Sequence, residues 1–344
     1  MKKRGFSQGI IFLVGGFLAV SCFFISSSAD AAPKYTLKVG HNQMEKTVRQ
    51  QASLKFKSLV EERSKGEIQV QVYPAQQLGN DLERLQALQM GTLEASISAL
   101  PRMASALPSV QVFDLPFLFP SYEVLFKVAD GKVGQELCNQ MEQKLKITGV
   151  AFWHTGFKQF TANVPIRRPE DFKGLKVRTM ENAFLIAQFR ALEANPVPID
   201  FHELYTSLQQ KVVEAQENDI NTIHDMKFYE VQKYLTISNH AWIGHVFAFS
   251  NAFLNKLPKN LQTLVIGAAR EAAKDDRYGV IEAEKTMLKT MEGKGLTIIR
   301  LNTQELESFR KKTRPVHDQF ADKIGKDLVA LTYQEVAAAE KATK

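Results

Sequence analysis

Arg178 stands in the run Asp171-Phe-Lys-Gly-Leu-Lys-Val-Arg-Thr-Met180. The alternation that follows its glycine reads as a short strand, with Lys176, Arg178 and Met180 on one face and Leu175, Val177 and Thr179 on the other. A guanidinium held on such an element offers a rigid fork of donors that pairs with a carboxylate through two parallel hydrogen bonds; a lysine ammonium has no such fork. Two further polar residues fall in series with it: Lys158 in Gly156-Phe-Lys-Gln-Phe-Thr161, and Asn218 in Glu214-Ala-Gln-Glu-Asn218. Taken alone, Lys158 reads as a solvated loop cation. All three, however, sit at the ends of predicted strands, where ligand clefts of open α/β sheets form. The chemistry they suggest is capture of a small organic anion.

Other chemistries find less support. His41, His154, His202, His224, His240, His245 and His317 never fall in a His-x-x-x-His pair with a nearby carboxylate on one helix face, so no zinc site is expected. Glu214 and Glu217 are spaced like an acid/base pair, but a polar helix terminus explains them equally well. Nucleophile elbows, phosphate loops and dinucleotide fingerprints are absent from the sequence. No catalytic residue, metal or cofactor is expected. Phe152, Trp153, Phe157 and Phe160 read as core. One enzymatic alternative stays open: a lyase or aldolase using Lys158 as a Schiff-base amine, if burial lowered its pKa.

The elements that must position these residues alternate. Tyr35 to Gly40 predicts a strand, Lys46 to Lys65 a helix, Glu67 to Tyr73 a strand, Asp81 to Met90 a helix stopped by Gly91, and Leu93 to Ala99 a strand. That order implies parallel pairing through crossover helices. After a helix over about Tyr122 to Lys146, the pattern restarts with a strand from Thr148 to Trp153 and then the Arg178 strand. A helix over Asn182 to Leu192 and a strand over Val197 to Ile199 follow, and Asp200 with Glu203 resembles a capping box. Lys259 to Glu292 predicts one long helix, with a break near Gly279, able to brace two lobes. A last strand, Gly295 to Arg300, precedes amphipathic C-terminal helices.

Ahead of all this, Lys2, Lys3 and Arg4 precede an apolar stretch from Ile10 to Ile25 and the small residues Ala29 and Ala31, the parts of a secretory signal cleaved after Ala31. Cys22, after Ala19-Val-Ser, only faintly resembles a lipoprotein box. Without residues 1–31 the chain keeps Cys138 alone, which excludes an internal disulfide, and a net charge of about +5 spread without a basic block, which argues against nucleic acid. A periplasmic location is expected.

Five strings in order resemble the solute-binding proteins of TRAP (tripartite ATP-independent periplasmic) transporters, of the C4-dicarboxylate-binding DctP type. They are Tyr73-Pro-Ala-Gln-Gln-Leu-Gly-Asn-Asp81, Asp171-Phe-Lys-Gly-Leu-Lys-Val-Arg178, Glu203-Leu-Tyr-Thr-Ser-Leu-Gln209, Val213-Glu-Ala-Gln-Glu-Asn218 and Lys227-Phe-Tyr-Glu-Val-Gln-Lys-Tyr234. The resemblance implies a two-lobed α/β periplasmic-binding-protein-like fold with a hinge and a long bracing helix. Lobe I would take 32–155 and about 243–280, lobe II 156–242 and about 281–315, with C-terminal helices over 316–344. It further implies that Arg178 grips a ligand carboxylate, that Asn218 donates to the same group and that Phe201 packs on the ligand. Lys158 stands where the family usually has a second arginine. Asn42 and Asp81 match first-lobe contacts more loosely, Asp81 equally being a helix N-cap; Arg102 is a further candidate cation, and His240 matches a histidine near the hinge. The implied partners are a small organic acid (a dicarboxylate, sugar acid or hydroxy acid) and a TRAP-type integral membrane permease, the protein itself being a monomer. A sensory adaptor binding the same solute is the other alternative.

Overall fold

The computed structural model describes residues 32–343, so the expected export signal and Cys22 lie outside the described residues. Strands β1 (Tyr35–Gly40), β2 (Ile68–Tyr73), β3 (Ala95–Ala99), β4 (Ile147–Phe157) and β10 (Trp242–Ser250) form a five-stranded sheet in the order β2-β1-β3-β10-β4. β1 pairs in parallel with β2 and β3, while β10 runs antiparallel to β3 and β4. The crossovers are helices α1 (Val48–Arg63) and α2 (Asp81–Met90). α1 starts later than its apolar pattern because the Thr47 side chain accepts the Gln50 N–H as an N-cap. α2 is closed at one end by an Asn80/Glu83 capping box and at the other by Gly91 at φ +73°, a left-handed conformation that glycine adopts without strain.

The helix expected over 122–146 is two helices, α3 (Tyr122–Asp130) and α4 (Lys132–Gln140), ending in a π-turn. Gly131 between them is extended, and a Cβ on Gly134 would collide with the Ala129 carbonyl oxygen, so the turn closes only on a residue without a side chain.

The second sheet has the order β11-β9-β5-β8-β6-β7, from β5 (Gln159–Ala162), β6 (Lys176–Thr179), β7 (Asn195–Pro198), β8 (Ala215–Asn218), β9 (Tyr234–Ile237) and β11 (Thr297–Arg300). Its helices include α5 (Ala183–Ala191), α6 (Leu204–Gln209) and α7 (Ile220–Asp225). Each sheet with its helices is one α/β lobe. Two chain segments cross between the lobes side by side: β4 passes into β5 through Lys158, and β9 into β10 through 238–241. They are tied by backbone bonds, Lys158 N–H to the Ala241 carbonyl at 2.7 Å and His240 N–H to the Lys158 carbonyl at 3.2 Å.

After the short helix α8 (Asn251–Leu254), α9 (Lys259–Gly293) runs unbroken for 35 residues, about 50 Å at 1.5 Å per residue. Its first half packs Leu261, Val265, Ala268 and Ala272 with Phe56, Val70 and Phe247 in the first-lobe core, while Met291 joins Leu204, Phe228 and Leu235 in the second. Gly279 causes no break. A Cβ there would meet Val48 Cγ1 at 2.7 Å, so the absent side chain leaves room for the start of α1 against α9. Helices α10 (Thr303–Ile324) and α11 (Lys326–Lys341) follow; α10 buries Phe309 in the second lobe, sets Phe320 edge-on to Phe184 of α5 and places Val316 in a cluster that draws on both lobes, so the boundary expected at 316 falls inside a helix.

β4 is an edge strand, and α9 covers its outward carbonyls. Arg270 Nε donates to the Val150 carbonyl at 3.2 Å. Arg277 donates twice to the Phe152 carbonyl and forks onto Asp130 at 2.6 and 2.8 Å.

Candidate ligand-binding cleft

Arg178 lies in the middle of β6, opposite Val197 of β7 and Gln216 of β8. Its side chain is 2 % exposed and runs up to the Ile199 carbonyl, which accepts from Nε at 3.0 Å. Among the described residues neither Nη1 nor Nη2 makes a hydrogen bond, so the outer edge of the fork is free. Burial first, then the nearby Arg102, draws its pKa down from 12.5 to about 10, against the pull of Glu217 and Asp200. Arg178 is therefore charged at neutral pH.

The cavity in front of Arg178 measures about 30 Å3 and is walled by both lobes. The second lobe gives Asn218, Phe201, Asp219 and Thr222; the first gives Asn42, Gln43, Asp81, Arg102 and His245, with Met180 and Ile243 as apolar lining. Gln43 Nε2 donates across the cleft to Thr222 Oγ1 at 3.2 Å, and Thr222 donates on to Asp219 at 2.8 Å. Arg102 reaches across to Asp200 at 3.3 Å. The two walls already touch, so the cleft is nearly shut.

Five of the seven expected contacts line this cavity: Arg178, Asn218, Phe201, Asp81 and Asn42, together with Arg102. Asn218 is the last residue of β8, where alternation turns Gln216 and Asn218 to one face; Asn218 Nδ2 donates to Gln216 at 2.9 Å. Asp81 is not the N-cap of α2, which is Asn80. Its carboxylate instead takes Arg84 at 2.7 Å and the Ala99 N–H at 3.0 Å, Arg84 being wholly buried behind it. Asp200 accepts from the His202 N–H and caps one 3-10 turn, Phe201–Glu203, at the cavity rim.

Neither Lys158 nor His240 lines the cavity. Lys158 sits at the strand crossing, fully buried, with its ammonium 2.9 Å from Glu217 and 3.5 Å from Asp114. Glu217 neighbours Asn218 on β8, so alternation sends it to the opposite face. There its other oxygen meets His240 Nε2 at 2.8 Å, and His240 Nδ1 meets Ser238 Oγ at 2.8 Å. Burial opposes every charge in this cluster. On Glu217 the contacts to Lys158 and His240 outweigh it and hold the carboxyl at about 2, whereas on Asp114 burial wins and lifts it to about 6. On Lys158 the two carboxylates prevail and raise the amine above its ordinary 10.5. A Schiff-base lysine needs the reverse shift and access to substrate.

His245 is a wall residue that motif and spacing did not single out. The available signal was an imidazole in the otherwise apolar strand Trp242–Ser250. Asp219, whose carboxyl burial raises to about 6 against its bonds to Thr222, was hidden because it opens a helix directly after the Asn218 string. Among the described residues no cluster of His, Cys, Asp and Glu is arranged to hold a metal ion, and no helix is long and apolar enough to cross a membrane.

Residues 39–323 match the family model for bacterial extracellular solute-binding protein, family 7 (DctP). The C4-dicarboxylate-binding periplasmic protein DctP of Shewanella loihica is 36 % identical over 300 residues, 87 % of this chain and 89 % of that protein. A TRAP periplasmic solute-binding protein of Shewanella oneidensis, solved with bound succinate, superposes with a TM-score of 0.84 at 35 % identity, over 90 % of this chain and 99 % of that one. The sugar acid binding protein of Advenella mimigardefordensis, solved in complex with galactonate, gives 0.86 at 31 % identity, over 90 % and 99 %. With its two lobes, its crossing strands and a free guanidinium in the cleft between them, this chain belongs to the DctP family of extracellular solute-binding proteins, and it is a binding protein, not an enzyme.

Proposed function

We propose that the protein is the extracytoplasmic receptor of a TRAP-type secondary transporter, closing its lobes on a small organic acid anion and delivering it to a membrane permease. The observation that carries this reading is Arg178: a buried, charged guanidinium whose two terminal nitrogens find no partner among the described residues and border a nearly closed cavity. A buried charge without a partner is costly, and a carboxylate supplies the missing two acceptors in one planar group. Related proteins of this family hold succinate and galactonate, both carboxylates. Asn218 adds a neutral polar contact beside Arg178, and Phe201 an apolar face. In this reading lobe I takes 32–155 with about 243–280 and lobe II 156–242 with about 281–315, and the signal segment is removed on export. The ligand supplies the free-energy difference that favours the closed state.

The test is thermal unfolding of protein that has been unfolded and refolded to strip carried-over solute, with dicarboxylates, sugar acids and hydroxy acids added singly. A ligand at about a hundred times its dissociation constant adds about 2.7 kcal/mol, a shift of several degrees at this size. A shift with one acid class that disappears in Arg178→Ala supports the proposal. No shift with any acid would sink it.

A further inference from the structure

Arg178 accounts for one end of the ligand; the other end faces the first lobe, where the polar groups are of a different kind. His245 is 2 % exposed, lines the cavity and, among the described residues, has no hydrogen-bond partner at either ring nitrogen. In the sheet register His245 stands between Ala99 of β3, which has no polar side-chain atom, and Trp153 of β4, whose indole N–H is itself without a partner among the described residues. Asn42 Oδ1, also buried and on the same wall, is a second unpartnered atom, and it can only accept. Groups of this kind, buried without a partner, are expensive unless something enters to meet them.

Resting on the organic-acid reading above, we infer that His245 reads the far end of the ligand, and that with Asn42 it selects a hydroxylated monocarboxylate over an unsubstituted dicarboxylate. The argument is one of donors and acceptors. Burial, with Arg49 and Arg84 nearby, holds the His245 imidazole well below 6.5, so it is neutral, with one N–H to donate and one nitrogen to accept. A hydroxyl both donates and accepts, so two of them can take the ring N–H and give one proton each to the bare ring nitrogen and to Asn42 Oδ1. A carboxylate only accepts: it would meet the N–H but leave the bare nitrogen and Asn42 Oδ1 unpaired. The cleft floor carries the buried Asp219, which when ionised would repel a second negative charge, and Asp81 on the first-lobe wall is already neutralised by Arg84. The remaining cation, Arg102, is already engaged by Asp200.

The test is titration calorimetry on the stripped protein with four-carbon acids that differ only in their substituents: butyrate, succinate and D-erythronate. The expected result is that D-erythronate binds at least about tenfold tighter than succinate, since an unpaired buried polar group costs one such factor or more. His245→Leu should cut D-erythronate affinity by a similar factor of about ten while leaving succinate within about threefold. His245→Gln, which keeps one donor and one acceptor, should retain most of the preference. Circular dichroism melts show whether each variant folds, and the comparison of acids on the unaltered protein needs no variant at all. Succinate binding as tightly as D-erythronate, or a His245→Leu protein with unchanged preference, overturns the inference while leaving an organic-acid receptor intact. Failure of all three acids and of longer sugar acids overturns both.

Discussion

Arg178 and Lys158 are both buried cations, yet their surroundings give them opposite uses. Arg178 faces a cavity with its fork unoccupied, so Arg178→Ala should leave the melting temperature little changed without ligand and cost about 2–5 kcal/mol of binding, as truncation of a buried charge pair does; calorimetry with the best acid checks this. Lys158 faces inward and neutralises Glu217 and Asp114. Lys158→Met should therefore act on stability, lowering it by about 3–5 kcal/mol because two buried carboxylates lose their counter-ion; urea denaturation reads the loss directly. The difference between the two was only half legible in the sequence. Strand alternation after Gly174 was enough to turn Arg178 off its element. Nothing local to Lys158 reveals that a second strand crosses beside it, or that Glu217 and Asp114, distant in sequence, converge on its ammonium. His245 was illegible for the same reason: its place on the cleft wall, between Ala99 and Trp153, is set by sheet register.

The strands and helices were easier to read than their breaks. β1, β2, α2 and the Arg178 strand follow from alternation, caps and glycines that act locally. Gly279 misled because a glycine in a helical pattern signals weakness locally, whereas here it admits Val48 from another helix. Gly279→Ala should lose stability, by about 1–3 kcal/mol of overpacking, despite alanine's better helix propensity. Adding Val48→Ala should return part of the loss, a coupling that a double-mutant cycle on melting curves would detect. A second test concerns Glu284 on α9, which accepts from the Tyr122 hydroxyl of α3 at 2.6 Å. Burial raises its carboxyl from 4.5 to about 7, against the Tyr122 bond. The folded state thus holds a proton that the unfolded chain releases: the stabilisation is complete below pH 4.5 and is lost as pH rises through 7. Glu284→Gln lacks this loss, so relative to the parent it should gain about 2 kcal/mol between pH 5 and pH 8, visible as diverging melting temperatures.

At the scale of the whole molecule, the lobes meet through few polar contacts. Gln43 to Thr222 and Arg102 to Asp200 exist only while the cleft is shut. A buried neutral hydrogen bond and a half-buried ion pair each contribute about 1 kcal/mol, but all of it falls on one side of the opening equilibrium. Asp200→Ala should consequently weaken any ligand a few-fold and enlarge the ligand-free radius of gyration by solution scattering. The two-lobed plan was legible because each lobe repeats strand-helix alternation; how far the lobes close was not, since that depends on side chains 98 and 179 residues apart in sequence meeting across a gap.

The outer edge of β4 has a consequence of a different sort. An unpaired strand edge is a template on which a second chain can add a strand, and a protein made in quantity and held at high concentration meets many copies of itself. Here the Val150 and Phe152 carbonyls are occupied by Arg270 and Arg277, side chains of a helix already anchored in the core. The bracing helix thus serves as a guard against self-templating, and replacing both arginines should first be felt as precipitation, before any loss of ligand recognition.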